Sequence, residues 1–236
     1  MNTVILANGV FPRHPVALRC LHNASLIVCC DAAVSQLANY LRQSDSFAQA
    51  LKGGDGHPVM VAVVGDGDSY RPDPAVEQLF ADACTPLQHY ADSDQETNDL
   101  TKAIRYASHQ GARQLDILGA TGLREDHTLG NIALLAHHSD LFTLRMYTDH
   151  GLFTPIQSTT CFASFARQQV SIFNLRPQAA TLDSKGLQYP LVDRRFDELW
   201  EGTLNASMGD EFTIFVTPRS DQQPHVLVYQ TYEAKE

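Results

Sequence analysis

The chain is poor in positive charge. Four of its 236 residues are lysines, and its 17 lysines and arginines face 27 acidic residues, which leaves a net charge of −10. Because there is no excess of basic side chains to displace counterions from a phosphate backbone, broad binding to nucleic acid is excluded. The sequence also contains no GxxxxGK[ST] motif, which excludes a P-loop. A polyphosphate ligand would therefore need arginines and a metal ion as its counter-charge.

Long apolar runs and paired cysteine motifs are absent as well. No apolar run approaches the roughly 20 residues that cross a bilayer, so we expect no membrane association. The five cysteines show no CxxC or cysteine–histidine spacing typical of zinc sites. Cys29 and Cys30 lie in an apolar run and are expected to be buried free thiols, which fits a cytoplasmic protein. Residues 1–15 lack a basic n-region and a cleavage site, and we expect them to begin the fold as a strand.

Residues 1–150 alternate strand-like and helix-like segments. The predicted strands are 3–7, 26–30, 59–64, 86–90, 114–118 and 141–147. Two apolar stripes with helical spacing are Leu100, Ala103, Ile104, Ala107 and Leu129, Ile132, Ala133, Ala136. Thr97 is the predicted N-cap of the first helix, Gly111 follows its end, and the second helix opens near Asp126. The alternation predicts an α/β fold: a Rossmann-like parallel sheet with flanking helices. The segment 44–57, which contains KGGDGH, is predicted to be a surface loop.

Residues 151–236 show a different pattern. Short runs rich in Thr, Val, Phe and Tyr are separated by turn residues, and no stretch carries a helical stripe. The predicted strands are 152–157, 159–165, 169–175, 211–217 and 225–232. This pattern predicts an all-β sandwich or barrel. The chain is thus predicted to form two domains, an α/β domain over 1–150 and a β domain over 151–236.

Two aspartates follow the most strongly apolar of the predicted strands. Asp66 and Asp68 come one residue apart after the run VMVAVV. The carboxyl ends of parallel strands meet at one edge of the sheet, where open α/β folds bind ligands. Two neighbouring carboxylates repel each other unless a hard cation neutralises them, and Mg²⁺ takes carboxylates together with phosphate oxygens. The alternative to a metal site is that residues 65–69 form an ordinary turn rich in Gly, Asp and Ser.

Polar segments also follow the other predicted strands. They are Asn8-Gly9, Asp31, the acidic run 92–99 (DSDQETND) and the run 119–127 (GATGLREDH). In a parallel sheet all of these segments converge on the same edge. The sequence therefore predicts one composite site there.

The order and spacing of CDAA, GDGDS, DQETNDLTKA and GATGLREDHTLGN resemble the thiamin pyrophosphokinase (thiamin diphosphokinase) family. The resemblance extends from residue 4 to about residue 135, with a weaker match at 186–191 and 202–205. It implies an enzyme that uses Mg²⁺ to transfer the diphosphate of ATP to the hydroxyl of thiamine, giving thiamine diphosphate and AMP. It also implies an ATP-binding first domain, a second domain that contributes to the thiamine pocket, and a homodimer with active sites at the interface.

The resemblance assigns roles to individual residues by their position in these motifs. Asp66, Asp68 and Asp99 match the metal-binding carboxylates and form the catalytic set together with Arg124. The implied ATP-binding residues are Asn8, Gly9, Thr121, Gly122, Arg124 and Asp126. The implied thiamine-binding residues are Asp31, Gln95, Asn205 and Ser207.

Several side chains near these motifs have a second interpretation. Arg124 offers a planar fork that suits a phosphate, or it is a surface charge. Asp126 contacts ligand, caps the following helix, or does both. Lys102 lies on the helix after Asp99, and we expect it to be a solvated lysine rather than a phosphate contact. Tyr189 and Trp200 are aromatic walls for the thiamine rings or parts of the core.

The acceptor is the least specified part of this hypothesis. The chain departs from the family pattern at Gln95, Asn98, Leu123 and Leu204, where family members often have Lys, Thr, Gly and Ser. A diphosphokinase acting on another alcohol, such as a pterin, would keep the same first domain. A non-catalytic nucleotide-binding sensor is the alternative from a different functional class, and the retained carboxylates argue against it.

Overall fold

The structure is a computed structural model that describes residues 1–53, 57–67 and 71–234. The predicted metal ligand Asp68 lies outside the described residues. The chain divides into two compact units, one of Met1–Asn131 with Tyr147–Asp149 and one of Ile132–Met146 with His150–Glu236. The predicted domain boundary at residue 150 stays a prediction.

The first unit is built on a parallel sheet with helices between its strands. Its elements are β1 (Thr3–Leu6), α1 (Pro15–His22), β2 (Leu26–Cys30), α2 (Ala33–Gln43), α3 (Asp45–Leu51), β3 (Met60–Gly65), α4 (Pro74–Asp82), β4 (Gln88–Ala91), α5 (Asp99–His109) and β5 (Gln114–Leu118). The strand order is β5-β1-β2-β3-β4, and each neighbouring pair is parallel. Every residue of β2 is buried, as a strand covered by helices on both faces requires. The predicted α/β class is confirmed.

Helix α6 (Glu125–His138) crosses the boundary between the two units in the chain and begins within one residue of its predicted start. Its predicted apolar stripe is wrong in part. Leu129 is 64% exposed and Ala133 is exposed, whereas Leu135 and Ala136 are buried. Helical spacing alone identified the helix but did not identify which of its faces is covered.

The second unit is an antiparallel β structure. Its strands are β6 (Thr143–Tyr147), β7 (Gly151–Ile156), β8 (Thr160–Ala163), β9 (Gln168–Asn174), β10 (Ala180–Lys185), β11 (Asn205–Ala206), β12 (Glu211–Pro218) and β13 (Val226–Ala234). One sheet has the order β11-β9-β13-β7-β6 and the other has the order β10-β12-β8. Inward side chains of both sheets form a single core, in which the rings of Phe162 and Phe212 stack with centroids 5.0 Å apart. The predicted all-β second domain is confirmed.

The prediction of a loop over 44–57 is wrong for its first half. Helix α3 begins after Ser44, whose hydroxyl accepts a hydrogen bond from the backbone N–H of Phe47 at 3.2 Å. Phe47 and Leu51, four residues apart, are fully buried. A serine cap and two apolar residues on one face suffice for this short helix. Residues 54–56 of the predicted loop lie outside the described residues.

Two smaller predictions also need correction. The N-cap of α5 is Asn98 rather than Thr97, because the Asn98 side chain accepts the hydrogen bond from the backbone N–H of Thr101 at 2.9 Å. Strands β10 and β11 were not predicted, since neither carries a long run of β-branched residues.

The expected burial of Cys29 and Cys30 is confirmed, and loss of hydration raises the pKa of both thiols. Among the helices in the described stretches, none is long and apolar enough to span a bilayer.

Candidate active site

The loops that follow β1 and β5 are joined by backbone hydrogen bonds. The N–H of Gly9 donates to the carbonyl of Gly119 at 2.6 Å, and the N–H of Val10 donates to the carbonyl of Thr121 at 2.9 Å. A Cβ atom on Gly9 would collide with both carbonyl oxygens. Gly122 has a φ of +98°, and a Cβ there would lie 2.7 Å from the Val10 side chain. These glycines are therefore needed for two strand-end loops to form one surface.

A cavity of about 470 Å³ opens at this edge of the first unit. Among the residues that line it are seven predicted site residues, namely Asn8, Gly9, Asp66, Gln95, Asp99, Thr121 and Arg124. Lys102, His127 and Asn131 line it as well. The convergence of polar strand ends on one edge, which the topology required, is thus present in the described part of the site.

Lys102 is the main difference between expectation and structure. Its side chain is 2% exposed, and its ammonium nitrogen lies 3.6 Å from Oδ2 of Asp66 and 3.6 Å from Oδ1 of Asp99. The expectation of a solvated lysine is wrong. A buried lysine requires paired acids, and here the end of β3 and the first turn of α5 each supply one. The Asp99–Lys102 spacing of i, i+3 was a sequence signal for half of this arrangement.

The pair Asp66 and Asp99 fits the role of ligands to a hard cation. Both carboxylates face the same cavity and have already been brought together around one positive charge. Mg²⁺ is commonly held by one or two carboxylates, with phosphate oxygens and water completing its shell. Across residues 1–53, 57–67 and 71–234, no group of three histidine, cysteine, aspartate or glutamate side chains is placed to hold a metal by itself. Asp66 and Asp99 would therefore share a metal with other oxygen ligands.

Arg124 lines the cavity with its guanidinium engaged by Asp126. Nε donates to Oδ1 of Asp126 at 3.1 Å and a terminal nitrogen donates to Oδ2 at 2.6 Å, in a two-pronged pair. Asp126 also accepts from the backbone N–H of His127, as expected of a residue at the start of α6. The hydrogen bonds from Arg124 are the main cause that lowers the pKa of Asp126 to about 2. Both side chains are exposed, so a ligand can reach the fork by replacing Asp126.

The loop 92–98 is organised by Asp94. Its carboxylate accepts from the Thr97 hydroxyl at 3.1 Å, from the backbone N–H of Glu96 at 3.0 Å and from Arg105 at 2.9 Å. The hydrogen bond from Arg105 is the largest cause of the lowered pKa of Asp94. Arg105 lies two turns into α5, so this contact ties the loop that carries Gln95 to the helix that carries Asp99.

Asp31 and Gly122 are not among the residues that line the main cavity, nor is Asp126. Asp31 is 4% exposed and has a φ of +45°, and its backbone N–H donates to the carbonyl of Val64. With Gly65, His89 and Tyr90 it lines a smaller depression of about 180 Å³ at the ends of β2, β3 and β4. The thiamine-binding role of Asp31 stays a prediction.

Asn205 and Ser207 lie in the second unit and are buried. The side-chain oxygen of Asn205 accepts a hydrogen bond from the backbone N–H of Tyr189 at 3.0 Å. The side-chain nitrogen of Asn205 donates to the backbone carbonyl of Tyr189 at 2.7 Å. The Ser207 hydroxyl donates to the carbonyl of Gly209 at 3.0 Å. The Asn205 contacts stabilise the loop that carries Tyr189, and the Ser207 contact lies within the turn 207–209. Tyr189 is 61% exposed and Trp200 is 72% exposed, so core packing, the alternative interpretation for both, is wrong.

Two family models match the chain. The model described as thiamin pyrophosphokinase, catalytic domain, matches residues 17–146. The model described as thiamin pyrophosphokinase, substrate-binding domain, matches residues 151–221. Comparison with curated protein sequences finds no significant match.

Solved structures share this fold over nearly the whole chain. The thiamine pyrophosphokinase of Bacillus subtilis has a TM-score of 0.70 at 18% identity, over 97% of this chain and 98% of its own. That of Candida albicans has a TM-score of 0.71 at 15% identity, over 97% of this chain and 90% of its own. That of Geobacillus thermodenitrificans has a TM-score of 0.65 at 21% identity, over 98% of this chain and 97% of its own. The likeness in fold agrees with the two family matches, which together cover most of the sequence, and the chain belongs to the thiamin pyrophosphokinase family of enzymes.

Proposed function

We propose that this enzyme transfers the diphosphate of ATP to the hydroxyl of thiamine, with Mg²⁺ as cofactor, and releases AMP. The observation that carries the proposal is one strand-end cavity that is lined by Asp66, Asp99, Lys102 and Arg124 together with residues of the β1 and β5 loops. Diphosphoryl transfer needs reactants held in line and negative charge dispersed, rather than a covalent catalyst. A cavity with paired carboxylates, two cations and close-approach glycines supplies both requirements.

The nucleotide would lie against the loops that follow β1 and β5. Gly9 lets these backbones approach closely, and Asn8 and Thr121 add polar groups at the cavity wall. Arg124 provides the planar fork for a phosphate, which would replace Asp126 as its partner. Asp126 would keep its hydrogen bond from the N–H of His127 and so continue to pair a backbone N–H in the first turn of α6. The exchange exposes no unpaired buried charge, because both side chains are solvated.

Asp66 and Asp99, together with Asp68, would hold Mg²⁺ in this cavity. When bound, Mg²⁺ polarises the phosphate oxygens and neutralises charge that develops on the leaving AMP. Lys102 keeps the two described carboxylates close to each other, and α5 fixes Asp99 through its first turn. The Asp94–Arg105 contact holds the loop that places Gln95 at the same wall.

Thiamine is the proposed acceptor, with Asp31, Gln95, Asn205 and Ser207 as its proposed contacts. A protein with a net charge of −10 favours a cationic substrate. The buried Asp31 offers a carboxylate for a polar ring substituent. Asn205 would act by holding the loop around Tyr189, given its two hydrogen bonds to that backbone, and Ser207 by holding the turn 207–209. We further propose a cytoplasmic homodimer whose active sites lie at the subunit interface.

The test is an assay of AMP release with ATP, Mg²⁺ and thiamine, run beside a pterin alcohol. Release that requires thiamine, with thiamine diphosphate as the second product, supports the proposal. Release with the pterin alcohol alone would identify a different acceptor. Binding of ATP without AMP release from either alcohol would indicate the sensor function.

A further inference from the structure

Lys102 is a buried cation within the carboxylate pair of the site. Its side chain is 2% exposed, whereas Asp66 and Asp99 are 21% and 43% exposed, so water reaches the two acids far more than it reaches the lysine, although all three line the cavity. The two N–O distances are equal at 3.6 Å, so the ammonium charge is shared between the acids. Asp66 and Asp99 lie 33 positions apart in the chain, and the lysine joins the end of β3 to the start of α5.

This charge acts on cations and anions in opposite directions. A free divalent ion that approaches Asp66 and Asp99 meets carboxylates that are partly neutralised, because a positive charge lies 3.6 Å from an oxygen of each. A metal–nucleotide complex carries a net negative charge, so the same ammonium favours its entry. In a site of effective dielectric near 20, one unit charge at such a distance changes an affinity by about tenfold or more.

We propose that Lys102 is a selectivity residue, which acts through Asp66 and Asp99 to bias the site against free Mg²⁺ and towards Mg²⁺ that arrives already bound to nucleotide. The inference rests on the proposed function, since it assumes a metal–ATP substrate. It explains why an acidic protein with few lysines buries one of them beside its candidate metal ligands. A solvated lysine at this position would be screened by water and would exert little of this effect.

The experiment compares Lys102→Met with the wild-type enzyme in two titrations. The first measures binding of Mg²⁺ alone, by calorimetry and by the shift in melting temperature. The second measures binding of α,β-methylene-ATP at saturating Mg²⁺, an analogue that cannot be cleaved at the bond broken in the proposed reaction. Lys102→Met should bind free Mg²⁺ about tenfold more tightly and the metal–nucleotide complex about tenfold more weakly.

The decisive result is that the two affinities change in opposite directions. If Lys102 serves only the fold, its removal should weaken the binding of both Mg²⁺ and the metal–nucleotide complex, or of neither. Either outcome would overturn the inference. Lys102→Arg retains the charge and should behave as wild type in the free Mg²⁺ titration. Lys52→Met removes an exposed lysine after α3 and should change neither titration.

Two further controls keep the result interpretable. If Lys102→Met does not fold, Lys102→Gln removes the same charge with a polar side chain and must show the same opposite signs. Both titrations are read without turnover. Failure to form thiamine diphosphate would therefore refute the proposed function while the selectivity result still stood or fell by itself.

Discussion

Removal of the Lys102 charge should cost more stability than removal of either of its partners. Lys102→Met removes the positive charge that Asp66 and Asp99 share. Asp66→Asn and Asp99→Asn each leave the lysine with one remaining carboxylate. The three variants therefore differ in which ion pairs are lost, in a site where the lysine is buried and the two acids are partly hydrated.

The exposed fractions set the expected magnitudes. Breaking a buried ion pair by deleting one partner costs about 3–5 kcal/mol, but Asp66 and Asp99 are partly hydrated, so we expect about 2–3 kcal/mol for Lys102→Met. Asp66 is 21% exposed, so water screens its charge incompletely. Asp66→Asn should therefore lower the free energy of unfolding by about 1–2 kcal/mol. Asp99 is 43% exposed and should cost about 0.5–1 kcal/mol. For a chain of this size 1 kcal/mol corresponds to about 2–4 °C in melting temperature.

Thermal and urea melts without Mg²⁺ or nucleotide measure this order. The double variant Lys102→Met/Asp66→Asn should be more stable than the sum of its single changes predicts, because the first change has already broken the ion pair that the second change would break. Asp99→Asn and Lys102→Met could instead lose equal amounts of stability, or the losses in the double variant could be additive. Either result would show that the lysine is not the counter-charge of this pair.

Three further predictions concern the site. Asp66→Asn should lower kcat by about two to four orders of magnitude, whereas Asp73→Asn, which retains an N-cap of α4, should leave the rate nearly unchanged; steady-state kinetics decides, and equal effects would refute the metal assignment. Arg124→Lys should raise the KM for ATP and lower kcat while the KM for thiamine hardly changes, because lysine lacks the planar fork; a defect confined to thiamine would contradict the phosphate role. Gly9→Ala should lower stability by about 1–3 kcal/mol and weaken ATP binding, since the new methyl group meets the carbonyl oxygens of Gly119 and Thr121; a wild-type melt would refute this contact.

The fold was predictable where local pattern and tertiary context agree. The runs LIVCC and VMVAVV predicted strands buried on both faces, and the structure places them side by side as β2 and β3. The stripe from Leu100 to Ala107 predicted α5 and its buried face. Helix α6 shows the limit of this reasoning, because Leu129 has the right spacing and yet is exposed. A periodic pattern states which residues share a face, while only packing determines which face is covered.

The site was predictable at the level of strand ends and not at the level of side-chain pairs. Parallel topology alone required Asp66, Asp99 and Arg124 to approach one edge, and all three line the same cavity. The burial of Lys102 was not predictable, because it depends on the distance between the end of β3 and the first turn of α5. One residue of that contact, Asp66, lies 36 positions before the lysine, and no local signal reports a pairing at such a separation.

The two cations of the cavity show how an acidic chain can accept a polyphosphate. Arg124 has its partner two residues away in the sequence, is exposed, and can exchange Asp126 for a phosphate with little change in hydration. Lys102 has both partners fixed in the fold and cannot leave them without exposing a buried charge. On the proposed function, arginine would therefore serve as the exchangeable phosphate contact and lysine as the constant one. On this proposal, ligand binding in the first unit needs few basic residues, because one cation would contact the phosphate and the other would keep the proposed metal ligands in place.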